Sequence, residues 1–489
     1  MSEEKTVVLG DRKVSGLKLS DLPLYTGLLA MLGPGFIWAS LAQGSGELIW
    51  WPYLTAKYGP SFIWLFLPAA FLQYWVNLEI IRYTALTGET TFTMFRRVSR
   101  YYAMLMWIML FITFAWFGGY AGAGGTALRI LTGLPAGWTA RDQTLFWAYI
   151  IVLLTLVVIV FGHVVYFWVE QIMKVVVIIT VAGLIIALVG NVEGWKYGPE
   201  FTSYLFTPQA WPSNWDPRDT PTLVTCIAFA GMGGFFNIMY SYWIRDKRVG
   251  MASYVGRVTS PITGKPEAIP AFGYTFPDTS ENRERWKKWL RYLQTDNALA
   301  VGINILTTVI MMFLAYSILF PAGKWPGGWE LVGVQSEFFG KVMGPVGASL
   351  FLIVATFFIS DSYLGIIDAM SRMHSDFVYS NFEKARKKTF RWWYYVWAAY
   401  LFIISAITLY LIAPGPLLIL GGVLNMVAFA LYCPVLIYVN WIMVPKSHPA
   451  GKFVRPHYVS LIFMLIATAV YIYFAAWFIY FGLTTGIWA

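Results

Sequence analysis

The stretch Gly33-Pro-Gly-Phe-Ile-Trp-Ala-Ser-Leu-Ala-Gln43-Gly44-Ser45-Gly46-Glu47-Leu-Ile-Trp-Trp51 opens as an apolar helix and then meets two glycines, a serine and a carboxylate. In a run that crosses a bilayer, that interruption falls near the midplane. Unwound backbone at such depth is tolerated only where it is buried in protein or lines a cavity. In secondary transporters a break of this kind holds the solute, because its orphan N–H and C=O groups become ligands. A kink packed inside a helix bundle is the plainer alternative. Glu47 favours the first reading, since an ionisable residue inside a membrane marks function by default.

The rest of the composition agrees with a membrane setting. Of 489 residues, 58% are hydrophobic and 12% charged, with a mean hydropathy of +0.60. Soluble domains carry about 25% charged residues, so an all-α integral membrane protein is expected. The start, Met-Ser-Glu-Glu-Lys, lacks the pattern of a removable signal peptide. Two cysteines, Cys226 and Cys433, lie in apolar runs and suggest neither a disulfide framework nor a metal cluster.

Eleven runs are long enough to span, starting near residues 24, 61, 102, 144, 166, 222, 297, 345, 393, 415 and 458. The expected organisation is a cytoplasmic tail over 1–22 and a transmembrane domain over 23–489, with a cytoplasmic insertion at 246–296. Of the 35 Lys and Arg, 24 fall in the tail and alternate loops on its side, against 7 in the opposite loops. The positive-inside rule then places the N-terminus in the cytoplasm and the C-terminus outside a plasma (inner) membrane. The net charge of +10 is thereby topological, and no nucleic-acid partner is implied. The bilayer is the expected partner, with a monomer the simplest state.

Further along, Glu79 and Arg82 share a helix face and read as an intrahelical ion pair. Gly118-Gly-Tyr120-Ala-Gly122-Ala-Gly124-Gly125 reads as a close-packing surface. Glu170 and Lys174 are spaced as a structural pair. The sixth run, Ile227-Ala-Phe-Ala-Gly231-Met-Gly233-Gly234-Phe235-Phe236-Asn237, is broken at mid-span like the first. Runs 1 and 6 would open two five-helix halves, and matched interruptions of this kind point to the binding site of an inverted-repeat transporter. Residues 246–280 read as irregular. Residues 281–296, with Trp286, Trp289, Leu290 and Leu293 among basic residues, read as a helix lying on anionic lipid. Asp361, deep in run 8, is a candidate functional carboxylate, and Asn425 in run 10 a helix–helix hydrogen bond. No nucleotide loop, catalytic triad or metal-ligand spacing is present in the sequence, so neither catalysis nor a cofactor is expected.

The chain resembles the Nramp family of metal-ion transporters, of the amino acid-polyamine-organocation superfamily. Gly33-Pro34-Gly35, Arg82 with Thr87-Gly88, and Ala127-Leu128 through Gly133-Leu134-Pro135 carry the likeness, and weaker similarity runs through most of the chain. It implies a LeuT-type fold: two inverted five-helix repeats plus an eleventh helix, with helices 1 and 6 broken. The functional motifs depart. Where the family has Asp-Pro-Gly-Asn, this chain has Gly44-Ser45-Gly46-Glu47, and Met-Pro-His-Asn is replaced by Gly234-Phe235-Phe236-Asn237. The counterparts of the metal-ligating Asp, Asn and Met are thus Gly44, Glu47 and Gly234. Those of the proton-path acids are Phe117 and Tyr120. Gly44-Ser45-Gly46 is also similar to the glycine motif of amino-acid and polyamine carriers.

The expected function is ion transport by a secondary-active transporter of a hard, Mg²⁺-like cation or another solute that is not a transition metal. A small organic solute held by the Gly-Ser-Gly break, or binding without transport, are the alternatives. The substrate-binding residues expected are Gln43, Gly44, Ser45, Gly46, Glu47, Gly231, Gly234, Phe235 and Asn237, with Glu47 as the metal ligand. Asp361, Asn425, Glu79 and Tyr120 are expected in coupling or supporting positions.

Overall fold

The computed structural model describes residues 6–44, 46–325 and 332–485. Ser45, part of the expected break, lies outside them. Each of the eleven runs falls on a helix. Helix 1 is formed by Pro34–Ala42 and Trp51–Tyr58, joined through a wide π turn at Gly46–Trp50. Helices 2 to 5 follow as Ile63–Thr87, Arg100–Phe114 with Gly119–Thr132, Ala140–Phe161 and Val165–Gly190. Helix 6 comprises Thr220–Ala228 and Phe235–Asp246. Helices 7 to 11 are Ser280–Leu314, Glu337–Asn381, Phe390–Leu411, Pro414–Tyr438 and Tyr458–Thr485. Among the described residues nine stretches are long and apolar enough to cross a membrane. The first of them, Pro34–Thr87, takes in helices 1 and 2. Helix 6, divided into two short halves, is not among the nine.

Local chemistry sets the ends. Thr139, Thr279 and Thr389 accept hydrogen bonds from the N–H groups of Asp142, Asn282 and Trp392, capping helices 4, 7 and 9. Gly88, in the left-handed region (φ 66°), closes helix 2. The glycine run of helix 3 is a packing surface, as its spacing predicts. A Cβ at Gly118 or Gly122 would strike helix 9 or 10, at Gly124 helix 8, and at Gly125 helix 4, each at about 2.6 Å or less. Arg82 and Glu79 stand 3.5 Å apart, and Glu79 also accepts from Ser460 of helix 11.

Two features of the N-terminal face differ from the sequence expectation. Residues 281–296 are no surface helix. They extend helix 7 without a break, and Trp286, Trp289 and Leu293 are buried in protein. Trp289 Nε1 donates to Pro23 O at 2.8 Å, and the Tyr292 hydroxyl to Met31 O at 3.0 Å. The amphipathic stripe therefore packs on the chain leading into helix 1, because an apolar stripe serves a protein neighbour as readily as lipid. The second difference is a small three-stranded sheet in an otherwise helical molecule. Thr6–Val7 pairs antiparallel with Leu17–Leu19, which pairs parallel with Tyr274–Thr275 of the 246–280 segment.

Candidate functional site

The two helix breaks touch. An added Cβ on Gly46 would lie 2.5 Å from the Phe229 carbonyl oxygen, so only glycine lets the backbones of helices 1 and 6 meet this closely. On the helix 6 side several of the freed backbone groups are bound by side chains. Gln73 of helix 2 donates to Ala228 O at 2.7 Å and accepts from Gly233 N at 3.3 Å, bridging the break with one amide. Its Oε1 also accepts from Asn237 Nδ2, which donates in addition to Asn77 Oδ1 at 2.7 Å. From helix 10, Asn425 Oδ1 accepts from Phe235 N at 2.8 Å, and the Tyr432 hydroxyl donates to Gly234 O at 2.7 Å. Gly233 and Gly234 take φ of 89° and 51°, the left-handed region that makes the reversal possible.

The helix 1 side is different. Glu47 is fully buried, yet neither carboxylate oxygen has a hydrogen bond of normal geometry among the described residues. The Asn304 side chain and its own backbone N–H are its electrostatic neighbours. It borders a cavity of about 10 Å3 with Thr180 of helix 5, Thr307 and Met311 of helix 7, and Phe351 and Phe358 of helix 8, which is room for about one water-sized species. Gln43 Nε2 donates to Thr307 Oγ1 at 3.2 Å. Gln43 Oε1, Asn304 Oδ1 and the Thr180 hydroxyl are also without partners among the described residues. Asn304 Nδ2 donates to Ala230 O at 3.1 Å, so one side chain links this cluster to the helix 6 break.

The expected residues therefore fall in separate places. Gln43 and Glu47 come together with Thr180, Thr307 and Asn304, between helices 1, 5, 7 and 8. Gly231 and Asn237 face helices 1 and 2 and Gly234 faces helix 10, while the Phe235 ring packs near Phe92 and near Phe114 of helix 3 and Asn425 caps the second half of helix 6. Gly44 approaches Ser362 and Tyr120, and Tyr120 packs near Phe236, ring centroids 6.1 Å apart. Asp361 accepts a hydrogen bond from Ser40 of helix 1. Glu79 is remote, bound among helices 2, 10 and 11. Gln73, Asn77, Asn304, Thr180 and Thr307 escape a reading of the sequence that follows glycines and charges. The signal available was their polarity inside apolar runs, Gln73 and Asn77 being four residues apart on one helix face.

No protein-family model matches the chain, and no curated protein matches it by sequence. Solved structures do. MhsT in complex with L-phenylalanine superposes with a TM-score of 0.57 at 15% identity, over 92% of this chain and 99% of the other. The Eremococcus coleocola manganese transporter, bound to an aromatic bis-isothiourea compound, gives 0.59 at 11%, over 96% and 90%. Mhp1, a nucleobase-cation-symport-1 family transporter in a closed conformation with bromovinylhydantoin bound, gives 0.54 at 13%, over 96% of each chain. The fold is LeuT-type. At these identities the likeness is one of architecture, shared by structures whose ligands are an amino acid, a bis-isothiourea compound and a hydantoin.

Proposed function

We propose that the chain is a multi-pass secondary transporter of Nramp-related descent that binds a hard cation at Glu47. Its N-terminus, insertion and basic loops lie in the cytoplasm. The observation that carries the reading is a set of buried oxygens that make no hydrogen bond of normal geometry among the described residues: both of Glu47, Gln43 Oε1, Asn304 Oδ1 and the Thr180 hydroxyl. A buried carboxylate lacking a counter-charge is costly, and a cation offsets that cost where water is excluded. Oxygen donors suit hard cations. Met311 brings one thioether to the wall, but no imidazole joins it. Among the described residues no group of three His, Cys, Asp or Glu could hold a metal, so a transition metal would find one carboxylate and little else.

The cavity and the charge refine the class. One carboxylate balances one positive charge, and the space admits an ion stripped of its water in preference to a hydrated Mg²⁺, which sheds water reluctantly. The organic-solute reading is less well supported, because Gly233 N and Phe235 N of helix 6 are bound by Gln73 and Asn425 and Gly46 sits on Phe229. Ion flux into liposomes holding purified protein tests the proposal. Uptake of Na⁺ or another hard cation above that of empty vesicles, lost in Glu47→Gln, supports it. Uptake equal in wild type and variant overturns it.

A further inference from the structure

The Gly33-Pro34-Gly35 sequence at the foot of helix 1 has a contact that its role as a helix start does not require. An ideal Cβ on Gly33 would lie 2.5 Å from the carboxyl carbon of Glu170 in helix 5. On Gly35 it would lie 2.6 Å from the main-chain oxygen of Asp296 in helix 7 and 2.9 Å from its Oδ1. Real Cβ contacts essentially never fall below 3.0 Å, so Gly35 is demanded by the Asp296 main chain, whereas at Gly33 the Glu170 carboxyl, the end of a flexible side chain, would move aside. Asp296 is wholly buried. Its Oδ2 accepts from the Tyr240 hydroxyl at 2.7 Å, whereas Oδ1, facing the Gly33 and Gly35 backbone, has no hydrogen bond of normal geometry among the described residues. Glu170 accepts from Lys174 and, at 2.9 Å, from Lys247 just past the end of helix 6. Two carboxylates thus bear on the positive end of a nine-residue helix, where negative charge is favoured.

The same half-helix ends at Gln43, beside Glu47. Nine residues at 1.5 Å each make a rod of about 14 Å, with the cation cluster at one end and Asp296 and Glu170 at the other. The approach to the rod is tied down too, through Trp289 to Pro23 and Tyr292 to Met31. We propose that Asp296 and Glu170 form a clamp that holds the first half of helix 1 against helices 5 and 7, keeping the N-terminal face closed. Release of Gly33–Gly35 from the clamp swings the half-helix away and exposes the break from that side. The movement matters for transport only if the cation-transporter reading holds, but the clamp itself is measurable without any solute.

The test is the rate at which a polar maleimide labels Ala39→Cys, a buried position on the half-helix. The full chain is used, with Cys226 and Cys433 changed to alanine. Asp296→Asn and Gly35→Ala should each raise the labelling rate at least tenfold. Glu267→Gln, which removes an ion pair with Arg257 on the same face, should leave it within twofold. Should Asp296→Asn fail to fold, Glu170→Gln and Gly35→Ala carry the test. Rates unchanged in variants that elute and melt normally overturn the clamp, as does an equal rise in Glu267→Gln, which would mean general loosening of that face. Faster labelling in a protein that moves no cation leaves the clamp standing and removes the cation reading alone.

Discussion

Glu47 and Gln73 are both buried polar side chains next to a helix break, and their situations are opposite. Gln73 is fully used: its amide holds Ala228 O, Gly233 N and Asn237. Gln73→Leu would leave those groups unpaired inside the bundle, each at about 1–3 kcal/mol. We expect the variant to melt well below wild type, or not to fold, whatever ion is present, as read by thermal unfolding in detergent. Glu47 makes no hydrogen bond of normal geometry among the described residues. Glu47→Gln keeps the shape and removes a buried charge, so in ion-free buffer it should melt at or above the wild-type temperature. What it should lose is the rise in melting temperature on adding a hard cation, since a ligand stabilises only the state that binds it. A cation-dependent rise equal in both proteins would contradict the assignment.

At the scale of elements, the 246–280 segment is bound to the helix ends rather than loose beside them. Gly273 N donates to Glu89 at 2.9 Å, and Arg97 pairs with the same carboxylate at 2.5 Å. Phe276 packs edge-on against His448, ring centroids 4.8 Å apart. Burial depresses the His448 pKa to about 4, against a small opposing pull from Asp278. A histidine held below its unfolded value contributes stability above about pH 6.5, lost as pH falls towards 4. The protection of the Tyr274–Phe276 amides, taken relative to intrinsic exchange at each pH, should therefore fall between pH 7 and pH 5, and His448→Phe should remove that fall. Protection flat across that range in wild type would rule out the histidine as the cause.

The elements also show what a sequence can carry. The breaks of helices 1 and 6 were legible because glycine weakens a helix, so a run of it inside an apolar span marks a reversal or a close backbone approach. The surface-helix reading of 281–296 failed because a Trp and Leu stripe looks the same whether lipid or the chain before helix 1 covers it. The carboxylate at the centre was legible, but its neighbours were not. Thr180, Asn304 and Thr307 reach it from helices far apart in sequence, and a single polar residue per helix leaves no period to read. The separation of Glu47 from the helix 6 motif likewise depends on which way a side chain leaves a π turn.

For the molecule as a whole, buried ion pairs and carboxylate–hydroxyl bonds tie the helix ends together on the side of the N-terminal segment. Arg372 holds Asp246 and, at 2.8 Å, Asp368, and Asp376 accepts from Thr90, Thr93 and Tyr242. Such pairs add little net stability but are costly to break singly, which suits a closure that must yield as a unit. Under the proposed transport function, two populations separated by a few kcal/mol would exchange, and a bound ion would bias them only through its different affinity for each. Mn²⁺ should bind weakly, because one carboxylate and one thioether replace the usual transition-metal set. Saturable micromolar Mn²⁺ binding in calorimetry would show otherwise.

The most direct measurement is equilibrium binding of Na⁺, Mg²⁺ and Mn²⁺ to purified wild type and Glu47→Gln at one pH and ionic strength. Removing one charged partner of a buried pair costs about 3–5 kcal/mol. The prediction is therefore saturable binding of a hard cation by wild type, weakened by at least about a hundredfold in a variant that melts normally. Equal affinity in the two proteins would contradict the assignment of Glu47 as the cation ligand.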